Sequence, residues 1–405
     1  MPSEPSEIGQ RARRIRRRRG LSLETAAGLA GISKGYLSML ERGQRGFERR
    51  GLLEDLATAL GCAVADLTGQ PYPPGDRASA ELLCALPDIS LALYDSTLDD
   101  AADLRPRPLA ELVRWARLAN EHTAHSRYSH AARQMGALLA ELHVWVATGT
   151  AAERRTALAG VVEAGFAASA VARTVGNGDL AIVASRRAED AAARIGDPGL
   201  VGFAAMCSTS ALSRLGARHR ARQVAARALA QTDSIADPWA ADTSVAEAAG
   251  MLHLCSAQLA AKENRPVEAR THLAEARALA ERTGERNRLW FSFGPANVRA
   301  WTLSVEVELG AGPAMAERVD RTPGYTDQLP TADRRAALHF DLARAHAQAG
   351  GSGDARAIHH LDAADRTAPE RVRHDPIARE LLRELDGRAT VRTWALDSLG
   401  NRIGN

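Results

Sequence analysis

The residues with the plainest chemistry are arginines. Residues 1–50 hold eleven Arg and one Lys against five Glu, a local charge of +7. The whole 405-residue chain carries only +3, so the remaining 355 residues sum to −4. Guanidinium groups at this density neutralise phosphate, and a basic head on a mildly acidic body points to nucleic acid as the partner of the head. Lys34 and Lys262 are the only lysines. By itself that Arg-for-Lys bias reads as a GC-rich coding sequence.

Other chemistries find less support. Twelve histidines invite a metal, and Glu121-His122 with His125 and His130, or His359-His360, are the groups to test. None has the HExxH spacing or a Cys partner, so no metal is expected. Gly350-Gly351-Ser352-Gly353 lacks the following Lys-Ser/Thr of a phosphate loop and reads as a turn. There is no GxSxG, and no Cys–His pairing stands out. No enzyme activity and no cofactor are expected. Cys62, Cys84, Cys207 and Cys255 lie far apart and outline no disulfide framework, which fits a reducing cytoplasm. The N-terminus has charge but no apolar core for a signal peptide. Ala157 to Ala172 is too short and too interrupted to span a bilayer and reads as a buried helix.

The elements that must position the basic head can be read from spacing. Ile8, Ala12 and Ile15 share one face of a first helix that runs to Arg18 and stops at Gly20. Ser22 caps a second helix, with Glu24 in its first turn and the small Ala26, Ala27 and Ala30 along it. Gly31 supplies a tight turn, Ile32 plugs it, and Ser33 caps a third helix with Leu37 and Leu40 inward. Leu52, Leu53, Leu56 and Leu60 form a fourth helix ending at Gly61, and Val64 to Leu67 a short fifth. Five short helices with a Gly turn between the second and third are the pattern of the helix-turn-helix class.

Here the pattern becomes specific. Leu21-Ser22, Glu24, Ala27, Gly31-Ile32-Ser33, Leu37-Ser38, Leu40 and Glu41-Arg42-Gly43 resemble the phage-repressor or XRE-type helix-turn-helix family, and the resemblance covers residues 8–67. It implies that the third helix enters the major groove of duplex DNA. Lys34, Gly35, Ser38 and Met39 then face base edges, with Lys34 the candidate for guanine O6/N7. Tyr36 packs or touches a phosphate. Ser33 offers backbone N–H groups to phosphate. Arg42, Gln44 and Arg45 follow the helix, where backbone contacts are expected. The same resemblance pairs Arg16 with Glu41 as a structural contact. Two positions depart from it. Leu23 stands where family members carry a phosphate-contacting Gln, and Ala26 where Leu is usual.

GQPYPPG, residues 69–75, breaks any helix and marks a semi-rigid linker. The expected domains are 1–69 for the head, 70–79 for the linker and 80–405 for the body. The body reads as helix throughout, rich in Ala and Leu and poor in aromatics. It also repeats itself over 176–198, 216–233, 263–284, 310–324 and 351–369. Each segment has a polar turn, then an anchoring alanine: Ala181, Ala221, Ala269, Ala314 and Ala355. A period of 40–48 residues with small residues at a helix crossing predicts an all-α solenoid of helical hairpins, with residues 108–172 adding further ones. It resembles tetratricopeptide-type repeats. In whole-chain plan the sequence is similar to cytoplasmic helix-turn-helix/tetratricopeptide regulators, including the peptide-pheromone-sensing (quorum-sensing) group of Gram-positive bacteria, and its Arg- and Ala-rich usage to actinobacterial members.

One stretch of the body, Asn287 to Trp301, concentrates two Trp and two Phe in a chain with 4% aromatics. Its Phe293-Gly294-Pro295 breaks the helical pattern, and Phe-Gly-Pro-x-Asn-Val is similar to a string in actinobacterial regulators of this plan. Two readings stand. Trp290, Phe291, Phe293 and Asn297 line a ligand groove, Asn297 holding a peptide backbone, or they form a packed hinge between repeats. Asn120, Arg127 and Tyr128 are further groove candidates.

The function expected is a sequence-specific DNA-binding transcriptional regulator whose repeat domain dimerises and senses a peptide or small molecule. The alternative makes that domain a protein-docking scaffold. The expected partners are double-stranded operator DNA, a second copy of the chain and an effector, with no membrane.

Overall fold

A computed structural model describes residues 7–323, 325, 328–389 and 393–403. Residues 1–6 of the expected head, Gly324 at the end of the fourth repeat segment, and 404–405 lie outside that range. Among the described residues the secondary structure is helical, with no strand. The head holds α1 (Glu7–Arg18), α2 (Leu23–Leu29), α3 (Lys34–Glu41), α4 (Arg50–Leu60) and α5 (Val64–Thr68). The body follows as α6 (Arg77–Tyr94), α7 (Leu109–Ala124), α8 (Tyr128–Ala132), α9 (Met135–Thr148), α10 (Ala151–Thr174), α11 (Gly178–Ile195), α12 (Pro198–Leu215) and α13 (Arg218–Thr232). It continues through α14 (Ser244–Lys262), α15 (Pro266–Thr283), α16 (Pro295–Glu308), α17 (Gly312–Asp320), α18 (Ala332–Gln348), α19 (Asp354–Thr367), α20 (Pro369–Arg373), α21 (Pro376–Arg388) and α22 (Trp394–Ile403). No helix among the described residues is long and apolar enough to cross a membrane.

Local chemistry sets the head. Ser22 Oγ accepts from Thr25 N at 3.0 Å, and Ser33 Oγ from Tyr36 N at 3.1 Å, so each short helix starts on a side-chain cap. Gly31 at φ +67° makes the turn between them, a conformation that costs a residue with a Cβ. Ile8, Ala12, Ala26, Ala27, Leu37, Leu40, Leu52, Leu53, Leu56 and Leu60 are buried together. Ala26 is fully covered, and Leu23 packs at the edge of the same core. Arg16 and Glu41 form a bidentate pair at 2.6 and 2.8 Å, tying α1 to α3. The arginine run is therefore only partly free. Arg11 donates to the Thr68 carbonyl at 2.8 Å and Arg19 to that of Gly61 at 2.5 Å, while Arg13, Arg14, Arg17 and Arg18 are exposed.

Paired helices stack through the body, α10 on α11, α12 on α13 and α14, α14 on α15, α18 on α19. Three of the expected anchors sit in the crossings: Ala181, Ala221 and Ala269 are buried. The last two do not. Ala314 and Ala355 face solvent, and the buried small residues are Ala316 and Ala357, two positions on. Turn lengths vary between repeats, so letter-matching across the turns slides the register; burial against the partner helix fixes it.

The head does not swing free of the body. Its core continues into Phe340, Leu361, Ile377, Leu381, Leu385 and Leu399 of the last five helices. A buried ion network completes the seam. Lys262 Nζ lies 2.5 Å from Glu54, Arg218 reaches Glu54 at 2.8 Å and Asp55 at 2.7 Å, and Glu308 accepts from the backbone N–H of Arg50 and Gly51 at 3.2 Å each. Gly51 is needed there, because a Cβ would fall 2.9 Å from the Lys262 carbonyl oxygen.

Glu48 sits at this seam beside Glu384. Burial, and then the Glu384 charge, pushes its carboxyl up to about 7, with Arg388, Arg344 and Arg45 pulling the other way. A folded-state value above the unfolded one means that the folded chain holds a proton the unfolded chain has lost. Stability from this group is therefore fullest at low pH and falls as pH rises towards 7. Glu48→Gln is expected to melt above the parent near pH 8 and close to it near pH 5, in thermal melts followed by circular dichroism. A variant that melts below the parent at the higher pH would contradict this.

Candidate functional site

Two sites were expected, one on α3 and one inside the solenoid. On α3 the inward residues Leu37, Leu40 and Glu41 are buried, which turns the opposite face outward. Ser33, Lys34, Gly35, Arg42, Gln44 and Arg45 are exposed, and Ser38 and Met39 half-buried beside them. A Cβ placed on Gly35 would meet nothing within 4 Å, so the start of this face is open. Lys34 lies 3.5 Å from Glu24, but both side chains are largely open, and such a pair is weak and screened. Arg42 turns its Nε back to the Ser38 carbonyl at 3.1 Å and leaves its other donors outward. Tyr36 is different. It is half-buried against the shared core, and burial, opposed by Arg49, raises its hydroxyl pKa. Tyr36 therefore packs rather than reaching outward.

The second site is a cavity of about 280 Å³ walled by α4, α7–α8, α10, α12, α14, α16, α18, α20 and the segment before α16. Tyr128, Trp290 and Phe291 line it. The other candidates do not. Phe293 is fully buried against Gly250, where a Cβ would lie 2.1 Å from its ring. Asn297 is buried and donates from Nδ2 to the Phe291 carbonyl at 2.9 Å, so it holds this chain's own loop. Asn287 Oδ1 accepts from Ser292 N at 2.8 Å on the same loop. Trp290 and Ser292 there take φ of +65° and +54°, a conformation non-glycine residues adopt only when their surroundings impose it. The stretch is thus both hinge and lining: Asn287 and Asn297 pin it, and Trp290 and Phe291 project from it. Asn120 is buried beside Glu163, and Arg127 is exposed at the start of α8.

Phe166, Phe203 and Phe291 cluster with centroids 4.9–5.4 Å apart, and Phe166 and Phe291 face the cavity. Among the described residues, the buried Trp301 indole N–H has no acceptor, and Gln258 Oε1 and Thr209 Oγ1 likewise have no partner. Spacing gave no hint of the wall residues Arg50, Arg173 and Arg214, since they come from three distant helices. The fold also brings Asp320, His346 and His360 within 4.8 Å of one another, a cluster the sequence hides on three helices. Arg356 binds the same Asp320 at 3.2 Å.

The family model that matches the chain is described as a helix-turn-helix domain and aligns with residues 7–68. Residues 7–68 form a helix-turn-helix domain. The described residues after 68 form the hairpin body. No curated protein matches the sequence. Among solved structures, the crystal structure of Bacillus thuringiensis PlcR in complex with the peptide PapR7 and DNA is similar over 68% of this chain and 95% of that one, at 12% identity and a TM-score of 0.29.

Proposed function

We propose that this helix-turn-helix protein is a sequence-specific transcriptional regulator, with α3 in the major groove of operator DNA and the body acting as dimerisation and effector-sensing domain. The observation that carries the reading is the outward face of α3. It is capped at Ser33, backed by a packed core and open at Gly35. Arg–phosphate contacts supply much of the affinity, which therefore falls with salt. Two heads on a two-fold dimer read half-sites roughly 34 Å apart or a multiple of that.

The effector reading rests on the cavity. Its aromatic wall and unpartnered polar atoms suit a peptide end or small molecule better than a folded partner, which would need an open apolar face. Arg50, the first residue of α4, lines the same cavity and is ion-paired with Asp375. An occupant therefore touches the head directly.

Lys34→Ala and Arg45→Ala test the docking. The first is expected to cost about 1–3 kcal/mol on the preferred sequence and to relax specificity there, and the second to weaken all duplexes alike. Anisotropy titrations on matched and mismatched duplexes separate the two. If neither substitution changes binding, α3 is not the reading helix.

A further inference from the structure

The cavity wall has more positive charge than its own carboxylates can satisfy. Arg50, Arg173, Arg214, Lys262, Arg334 and Arg371 line it against Asp333, Asp341 and Asp375. Most of these are committed. Asp333 pairs with Arg334 and Arg371 and also accepts from Ser126 and Tyr128. Asp341 holds Arg344 at 2.8 Å, which lies behind the wall. Lys262 is taken by Glu54 from the head. Asp375 is taken by Arg50 and by the Ile377 N–H at 2.9 Å.

Two guanidinium groups remain. Arg173 has no carboxylate partner among the described residues. Arg214 comes no nearer than 4.0 Å to Asp375, and 37% of its side chain stays open. Burial, and then the Arg50 charge, pushes Arg214 down to about 9; Arg173 and Arg371 add to the repulsion and Asp375 opposes it. It still carries its proton at neutral pH, in a positive field that an anion would relieve. Two half-exposed guanidinium groups with only the distant Asp375 between them repel each other, and an anion held by both would relieve that repulsion.

We propose that the cavity takes a carboxylate-bearing ligand with an apolar or aromatic body, its carboxylate between Arg173 and Arg214 and its body against Phe166, Phe291 and Trp301. This rests on reading the cavity as an effector site. Arginine's planar fork matches a carboxylate's two oxygens. A dianion fits less well, because Asp333, Asp341 and Asp375 ring the same space. The unpartnered Trp301 N–H is a donor for a further oxygen on the body, and Gln258 Oε1 an acceptor for an amide N–H. The carboxylate is either the C-terminus of a short peptide or a free organic acid.

The test is a set of matched pairs titrated calorimetrically into the full-length chain: N-acetyl-alanyl-alanyl-phenylalanine and phenylpropionate, each as free acid and as primary amide. At least one acid is expected to bind about tenfold or more tighter than its amide, the worth of a charge-assisted hydrogen bond. The pair that shows the gap identifies the source. Arg173→Gln and Arg214→Gln, each checked for folding by circular dichroism, are expected to bring the acid down to the amide's affinity. Acid and amide binding equally, neither binding, or phenyl phosphate binding tighter than either acid overturns the assignment. An amide that binds and shifts DNA affinity as well as its acid would keep the effector cavity and remove only the anion. Absence of DNA binding would bear on α3 alone.

Discussion

Gly35→Glu is expected to fold like the parent chain and to lose DNA affinity by on the order of 100-fold or more, since like charges brought together at an interface cost several kcal/mol. A Cβ at Gly35 meets nothing within 4 Å, and the residue is helical, so no strain accompanies the new side chain. Replacing Gly inside a helix even raises intrinsic helix propensity. The functional half follows from place. Gly35 lies one residue past Lys34 at the start of α3, the end that meets base edges and phosphates when such a helix docks. A glutamate there puts bulk and negative charge where a phosphate-lined groove must close in. Gly35→Ala is the matched control and is expected to cost far less. A Glu variant that melts normally and still binds duplex with parental affinity would place the DNA elsewhere.

Arg344→Met is expected to destabilise the chain by about 3–5 kcal/mol, the scale for breaking a buried ion pair on one side. Arg344 is 2% exposed and makes four contacts: Glu308 at 2.6 Å, Asp341 at 2.8 Å, and the Glu48 carbonyl at 2.9 and 2.6 Å. Methionine has comparable length and leaves little void, so the loss is electrostatic. Glu308 would keep the Arg50 and Gly51 N–H donors but lose its guanidinium. Since Glu48 belongs to the head and Arg344 to the body, the seam between them should loosen as well. Urea unfolding reads the first effect, and proteolysis of the loop between α3 and α4 reads the second. Adding Glu308→Gln should recover part of the loss, because one of the two carboxylates left without Arg344 is then neutral. A single Arg344→Met variant as stable as the parent would mean that the seam is not held by these charges.

What was legible in the sequence was local. Ser22, Ser33, Gly31 and Gly61 act within a few residues of themselves, so caps and turns could be read directly and the five head helices with them. The Arg16–Glu41 pair was legible only through the family pattern, because 25 residues separate its members. Chain composition pointed to Asn287–Trp301, and Trp290 and Phe291 do face the cavity, but the same letters could not tell them from Phe293, which packs on Gly250. Repeat register failed by two residues at Ala314 and Ala355, where turn length and not alanine content decides the crossing. Nothing in sequence marks Arg173 or Arg214 as neighbours, nor Arg50 of the head as part of a cavity in the body. Those meetings are made by packing between helices far apart in the chain, which no short window contains.

Whether α3 reads duplex DNA is tested most directly by selecting bound duplexes from a random pool with the purified full-length chain. The expected result is an enriched motif repeated with two-fold symmetry at about one helical turn or a multiple of it, lost in Gly35→Glu and weakened by salt. A pool that emerges unenriched at low ionic strength, or a motif selected equally well by Gly35→Glu, would contradict it.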